Sequence, residues 1–135
     1  MNIIYPVFTL LILHFLVLSY MFNNRVKEMK ANRVHPEKLK LRSNTAVELK
    51  NSCAADNFLN LFEMPVVFYV LSVLAIASNK YTNSTVIIAW LFVISRYVHS
   101  FIHCTYNKVM DRFKAFAFSN LVLFILLINV FINLV

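Results

Sequence analysis

Four long runs almost free of charge divide this chain, and nothing else in it constrains the fold as strongly. They cover about residues 3–22, 56–78, 85–106 and 115–135. A helix needs roughly 20 apolar residues to cross the hydrocarbon core of a bilayer, and each run supplies them. Together they use most of the 135 residues and leave no stretch for a separate soluble domain. Only 14% of residues are charged and 60% are hydrophobic, with a mean hydropathy of +0.68. Soluble domains carry about a quarter charged residues. The expected fold is therefore all-α: an integral membrane four-helix bundle, one domain over residues 1–135.

The chain has no glycine and three prolines. A transmembrane barrel needs many tight turns, for which glycine is the usual residue. Helices satisfy their own backbone groups in lipid, so glycine's absence favours them. It also removes the GxxxG route to close helix contact. Packing is left to Ala, Ser, Asn and large side chains.

The first run contains one polar intruder of note, His14, and begins without Lys or Arg. A secretory signal starts basic and ends at a small-residue cleavage site. No such site follows, and the run reads as a retained helix. Residues 23–53 form a basic loop holding Arg25, Lys27, Lys30, Arg33, Lys38, Lys40, Arg42 and Lys50 against three glutamates. Pro36 breaks that loop, and the chain from about Leu39 onward is free of breakers, so a helical start there, well outside the lipid, is expected for the second helix. Inside the second run, Pro65 has no N–H for the carbonyl of Leu61 and should bend the helix.

The net charge of +7 would suggest nucleic acid on a soluble protein. Here the positive residues lie between apolar runs and set topology instead. The first and third connectors are basic and the second holds a single Lys. The positive-inside rule puts the basic connectors in the cytoplasm and both termini outside. Most of these Lys and Arg residues are solvated. A further role in meeting anionic lipid headgroups is weakly specified. Cys53 and Cys104 have no metal-ligand spacing and are expected to be reduced and structural.

Ionisable side chains within a membrane helix are expensive and tend to mark function. On the second helix Asp56, Asn60 and Glu63 stand at i, i+4 and i+7, one face over two turns, with Asn57 beside it. On the third, Arg96, His99, His103 and Tyr106 stand at i, i+3, i+7 and i+10, and Arg112 follows in the next turn. The expectation is that the two stripes face each other or a cleft, so that Glu63 can pair with Arg96 and Asn60 can hydrogen-bond across. Polar side chains also serve as plain inter-helix glue, but this is more hydrogen-bonding capacity than one ion pair needs. His99 and His103 have the spacing of two imidazoles on one metal, with Glu63 as a third donor. Arg96 on the same face favours an anionic organic ligand over a metal. His14, alone on its helix, reads as a packing histidine.

The run Asp56-Asn57-Phe58-Leu59-Asn60-Leu61-Phe62-Glu63-Met64-Pro65 resembles the second-helix signature of the MAPEG family, the membrane-associated proteins in eicosanoid and glutathione metabolism. That signature has the core Asn-x-x-Glu, followed closely by Pro and aromatics. Arg96-Tyr97-Val98-His99 resembles the family's third-helix Arg-x-x-His or Arg-x-x-Tyr, and Arg112 follows at a spacing similar to its catalytic arginine. The resemblance is specific from Asp56 to Phe113 and is nearest to bacterial members, which implies a bacterial cytoplasmic membrane. It implies a homotrimer with glutathione, as co-substrate, held between protomers near the cytoplasmic face. Carried over residue by residue, Asn60, Glu63, Arg96 and His99 would bind the tripeptide, with His103 and Tyr106 on the same stripe. Arg112 would stabilise its thiolate. Arg25 stands near another arginine of the family.

Two positions depart from the pattern of the eicosanoid enzymes: Leu59 where an Arg precedes the Asn, and His103 where a Tyr follows one turn on. The implied activity is a glutathione-dependent transferase or peroxidase acting on a hydrophobic electrophile or lipid hydroperoxide from the bilayer. The alternative is a non-catalytic lipid-binding protein of the same fold, which Leu59 favours. A small transporter using the intramembrane charges is a third class, and the two halves show no helical repeat to support it.

Overall fold

A computed structural model describes residues 2–40, 45, 49 and 53–135. Among these residues the chain is entirely helical, with no strand. Four long helices follow one another, the last three joined by short connections: α1 (Ile4–Ala31), α2 (Cys53–Ser78), α3 (Asn83–Cys104) and α4 (Val109–Leu134). Each is long and apolar enough to cross a membrane. A short 3-10 turn, Pro36–Leu39, follows α1, with the His35 ring accepting from the Glu37 N–H. The expected helical start after Leu39 falls largely on 41–52, mostly outside the described residues.

The helix limits differ from those read from hydropathy. α1 runs nine residues past Phe22 to Ala31, so Arg25, Lys27 and Lys30 sit on a helix rather than in a loop. Apolarity ends where lipid contact ends, whereas a helix ends where its backbone is capped. The segment Arg25–Ala31 holds no Gly or Pro, and Arg, Lys, Glu, Met and Ala are strong helix formers. α2 begins three residues before Asp56, α3 spans 83–104 rather than 85–106, and α4 begins at Val109 rather than Ala115. In the last case Lys108, Arg112 and Lys114 made a helical first turn look like a connector.

With no glycine available, three other residues take left-handed backbone angles just beyond helix ends. They are Arg33 after α1, Asn79 after α2 and Asn107 after α3. Asn is the non-glycine residue that most readily visits this region. The Asn107 N–H donates to the Ile102 carbonyl at 2.9 Å, which closes the end of α3. At the other end of α3, Thr82 and Thr85 form a reciprocal cap.

α3 packs most extensively on α4, while α1 packs on α2 and α3, and α2 on α4. The central pair α2 and α3 thus separates α1 from α4. The core runs through Leu10, Leu61, Phe68, Phe92, Val86 and Leu126, all fully buried. Phe68 and Phe92 stack across the α2–α3 contact with centroids 5.0 Å apart. Large apolar side chains such as Phe15, Val73, Phe101 and Ile132 point outward on every helix. In water such a surface would drive association; in a bilayer it faces lipid of its own polarity.

Pro65 sits inside α2 without ending it. The carbonyl it leaves free, that of Leu61, meets His14 Nε2 from α1 at 2.8 Å. His14 is buried, and its Nδ1 lies 2.9 Å from the Leu10 carbonyl and 3.4 Å from the Tyr69 hydroxyl. The packing histidine of the sequence reading thus has a specific partner.

Candidate functional site

Polar groups concentrate where the start of α2, the end of α3 and the start of α4 converge. On α3 the predicted stripe is buried as far as its helix extends: Arg96, His99 and His103 all lie within the bundle. Tyr106 does not share it. α3 ends at Cys104, and Tyr106 stands exposed in the turn beyond, so the helical spacing that aligned it no longer applies.

Arg96 is fully buried. Its Nη2 donates to the Asn60 backbone carbonyl at 3.1 Å, while Nε and Nη1 have no hydrogen-bond partner. Its guanidinium carbon lies 6.0 Å from the centre of the Phe116 ring. The expected pairing with Glu63 is not formed. Glu63 is exposed on the outer face of α2. Asp56 is likewise exposed, and Asn60 is half-buried. The face of α2 that packs inward is set by Ala54, Asn57, Leu61, Pro65 and Phe68, so the Asp56–Glu63 side is turned away from the core.

The residue this displaces into view is Asn57, which is fully buried. It accepts from the Ser100 hydroxyl at 3.3 Å and donates to the Cys104 sulfur at 3.4 Å. Its place one turn after Cys53 and one turn before Leu61 was the available signal, because the small and apolar positions of α2 repeat through it.

Arg112, in the first turn of α4, donates from Nη1 to His103 Nε2 at 3.2 Å and to Asn107 Oδ1 at 3.0 Å. A guanidinium has no acceptor atom. His103 Nε2 must therefore present its lone pair, which leaves the ring proton on Nδ1. That atom is buried and unpartnered, as is Nδ1 of His99. Asn107 also went unnoticed in the sequence. Its side chain bridges Arg112 to the Cys53 sulfur, at 3.0 Å from each.

A cleft of about 240 Å³ opens between α2 and α4, lined by Asn60, His99, Val109, Arg112, Phe113 and Phe116. Asn60, His99 and Arg112 thus share one cavity, with Arg96 directly behind it. Arg25 lies elsewhere, in a cleft of about 360 Å³ on the α1 side of α2 with Met21, Phe58 and Leu59. Within one chain the two clefts lie on opposite sides of α2. Among the described residues no three His, Cys, Asp or Glu side chains gather as a metal site would require. His103 in particular spends Nε2 on Arg112.

Fold and site together define a four-helix membrane protein with a buried cationic cleft at one end of its bundle. Residues 3–132 match the MAPEG family, and the chain belongs to it. No curated protein and no solved structure matches the chain.

Proposed function

We propose that the protein is a glutathione-dependent membrane transferase or peroxidase that acts on a hydrophobic electrophile or lipid hydroperoxide. The observation that carries this reading is Arg96: a fully buried guanidinium with two unpartnered nitrogens behind a cleft lined by Asn60, His99 and Arg112. A buried cation without an anion is a costly arrangement. A ligand carboxylate would accept from it in forked geometry, and glutathione offers two carboxylates. Membership of the MAPEG family supports the same ligand.

In this reading Asn60, Arg96 and His99 hold the tripeptide, and Arg112 stabilises the thiolate. Arg112 is already fixed by His103 and Asn107, so little reorganisation is needed when negative charge develops on sulfur. In conjugation the thiolate forms a carbon–sulfur bond with the electrophile, and the thiol proton leaves to water or to the leaving group. In peroxide reduction two glutathione molecules become the disulfide, and the hydroperoxide becomes an alcohol and water.

Glu63 and Arg25 enter only through assembly. A carboxylate exposed on a lipid-facing helix is unfavourable, and Arg25 opens on the far side of α2. A homotrimer with the ligand between protomers would bring one chain's Arg25 or Glu63 to its neighbour's cleft. The basic connectors would then mark the cytoplasmic side, with both termini outside.

A second reading is a non-catalytic lipid-binding protein. An almost wholly apolar cleft of about 270 Å³ between α1 and α2, with Phe15, Phe58, Phe62 and Tyr69 in its walls, favours it. Calorimetry of glutathione binding to the detergent-purified protein separates the two. Saturable binding that Arg96→Lys and Asn60→Ala both weaken supports the enzyme reading. Absence of binding at millimolar glutathione, with lipid bound instead, sinks it.

A further inference from the structure

Two cysteines from different helices meet at this end of the bundle, each held by an asparagine from the other strand of chain. Cys53 is the first residue of α2 and Cys104 the last of α3. Asn57, one turn after Cys53, donates to the Cys104 sulfur at 3.4 Å. Asn107, three residues after Cys104, donates to the Cys53 sulfur at 3.0 Å. The two amide contacts cross, each joining one cysteine to the segment that carries the other. Both are free and only partly buried, at the edge of the apolar span.

That arrangement is unlike ordinary structural cysteine, which is among the most buried of residue types. A thiol is also a weak acceptor, so two asparagine amides are committed to contacts that a small chemical change at sulfur would undo. One of those amides belongs to Asn107, whose oxygen accepts from Arg112, and Arg112 in turn holds His103. A continuous hydrogen-bonded path therefore joins Cys53 to Arg112.

We propose that Cys53 and Cys104 are a redox-active dithiol, oxidised by hydroperoxide to an intramolecular disulfide, and that this oxidation displaces Asn107 from Arg112. The coupling to glutathione rests on the role given to Arg112 above; the pairing of the two sulfurs does not. In the first step one sulfur attacks the peroxide. A sulfur–oxygen bond forms, the oxygen–oxygen bond breaks, and the alcohol leaves with the thiol proton. The sulfenic acid then condenses with the second thiol, forming the sulfur–sulfur bond and releasing water. Glutathione reverses the change by two thiol exchanges, through a mixed disulfide, and is itself oxidised to its disulfide. A disulfide between these positions ties the start of α2 to the end of α3 and removes the thiol that the Asn107 amide contacts.

The test uses the full chain in detergent, treated with cumene hydroperoxide or kept reduced with dithiothreitol. Peptide mapping under non-reducing conditions should recover a Cys53–Cys104 disulfide that millimolar glutathione reverses. Cys53→Ser and Cys104→Ser should each abolish it without loss of helical circular dichroism. Amide hydrogen exchange over residues 107–113 should quicken in the oxidised protein only, and glutathione-dependent turnover should fall several-fold. Two free thiols after peroxide treatment, or disulfides only between chains, would overturn the proposal. Pairing without a change in exchange over 107–113 would overturn the link to Arg112. If neither form binds glutathione, the enzyme reading fails, while mapping and exchange still decide the dithiol.

Discussion

His14 Nε2 on α1 lies 2.8 Å from the Leu61 carbonyl on α2, the acceptor that Pro65 deprives of its helical donor. A carbonyl only accepts, so this contact uses a ring N–H. The polar intruder of the first helix and the proline of the second are thus one feature. Without His14 the Leu61 carbonyl would lie unpaired inside the bundle, and an unsatisfied buried polar group costs about 1–3 kcal/mol. His14→Phe should lower the thermal midpoint in detergent accordingly. Pro65→Ala restores an N–H to that carbonyl, so the loss caused by His14→Phe should be markedly smaller in a Pro65→Ala background. Equal losses in both backgrounds would show that His14 acts through packing alone.

Arg96 should matter to the ligand more than to the fold. Replacing a buried charge that lacks a counter-ion with an apolar side chain of similar length is often neutral or stabilising. Arg96→Met should therefore leave the thermal midpoint unchanged or raise it, while abolishing glutathione binding measured by calorimetry. A collapse of the fold together with binding would mean that Arg96 is structural cement, and that its unpartnered nitrogens await no ligand.

How much of this was legible in the sequence depends on which property each position reports. Four spans were legible because lipid contact is a matter of apolarity over some twenty residues. The burial of Arg96, His99 and His103 was legible because a charged stripe on a lipid-embedded helix must face inward. The matching inference for α2 reaches only Asn60, which lines the cleft, whereas Asp56 and Glu63 are exposed, because their face is not the packed one. Packing followed Ala54, Asn57, Leu61, Pro65 and Phe68, where small and apolar residues permit close approach, and Asn57 travelled inward with them. Tyr106 was misplaced because the spacing was extended past the end of α3. Asn107 could not be chosen from spacing, since its role depends on a backbone turn. The contacts that fix Arg112 come from residues five and nine positions earlier, across that turn.

For Arg112 the prediction concerns rate rather than affinity. Removing one fixed donor to a developing anion typically lowers turnover by about 100-fold or more. Arg112→Ala should do so in a conjugation assay with a hydrophobic electrophile, and should leave the glutathione dissociation constant within about threefold, as expected for an interaction made chiefly with the reacting charge. The thiolate absorbance of bound glutathione should fall in parallel. Turnover that survives the substitution would remove Arg112 from the mechanism.

Asn107 holds two roles that one pair of substitutions can separate. Its backbone lies in the left-handed region at φ 45°, which a residue with a Cβ other than Asn or Asp enters at a cost of roughly 1–2 kcal/mol. Its side chain positions Arg112 and contacts Cys53. Asn107→Gly keeps the backbone geometry and deletes the amide, whereas Asn107→Ala deletes both. The alanine variant should therefore melt lower than the glycine variant, by an amount in line with that cost. Both should lose catalytic rate alike, since each leaves Arg112 without its Asn107 acceptor. The rate should drop less than in Arg112→Ala, because the His103 contact remains. If glycine restored both stability and rate, the Asn107 side chain would have no part in holding Arg112, and the hydrogen-bonded path from Cys53 would end before it reached the site.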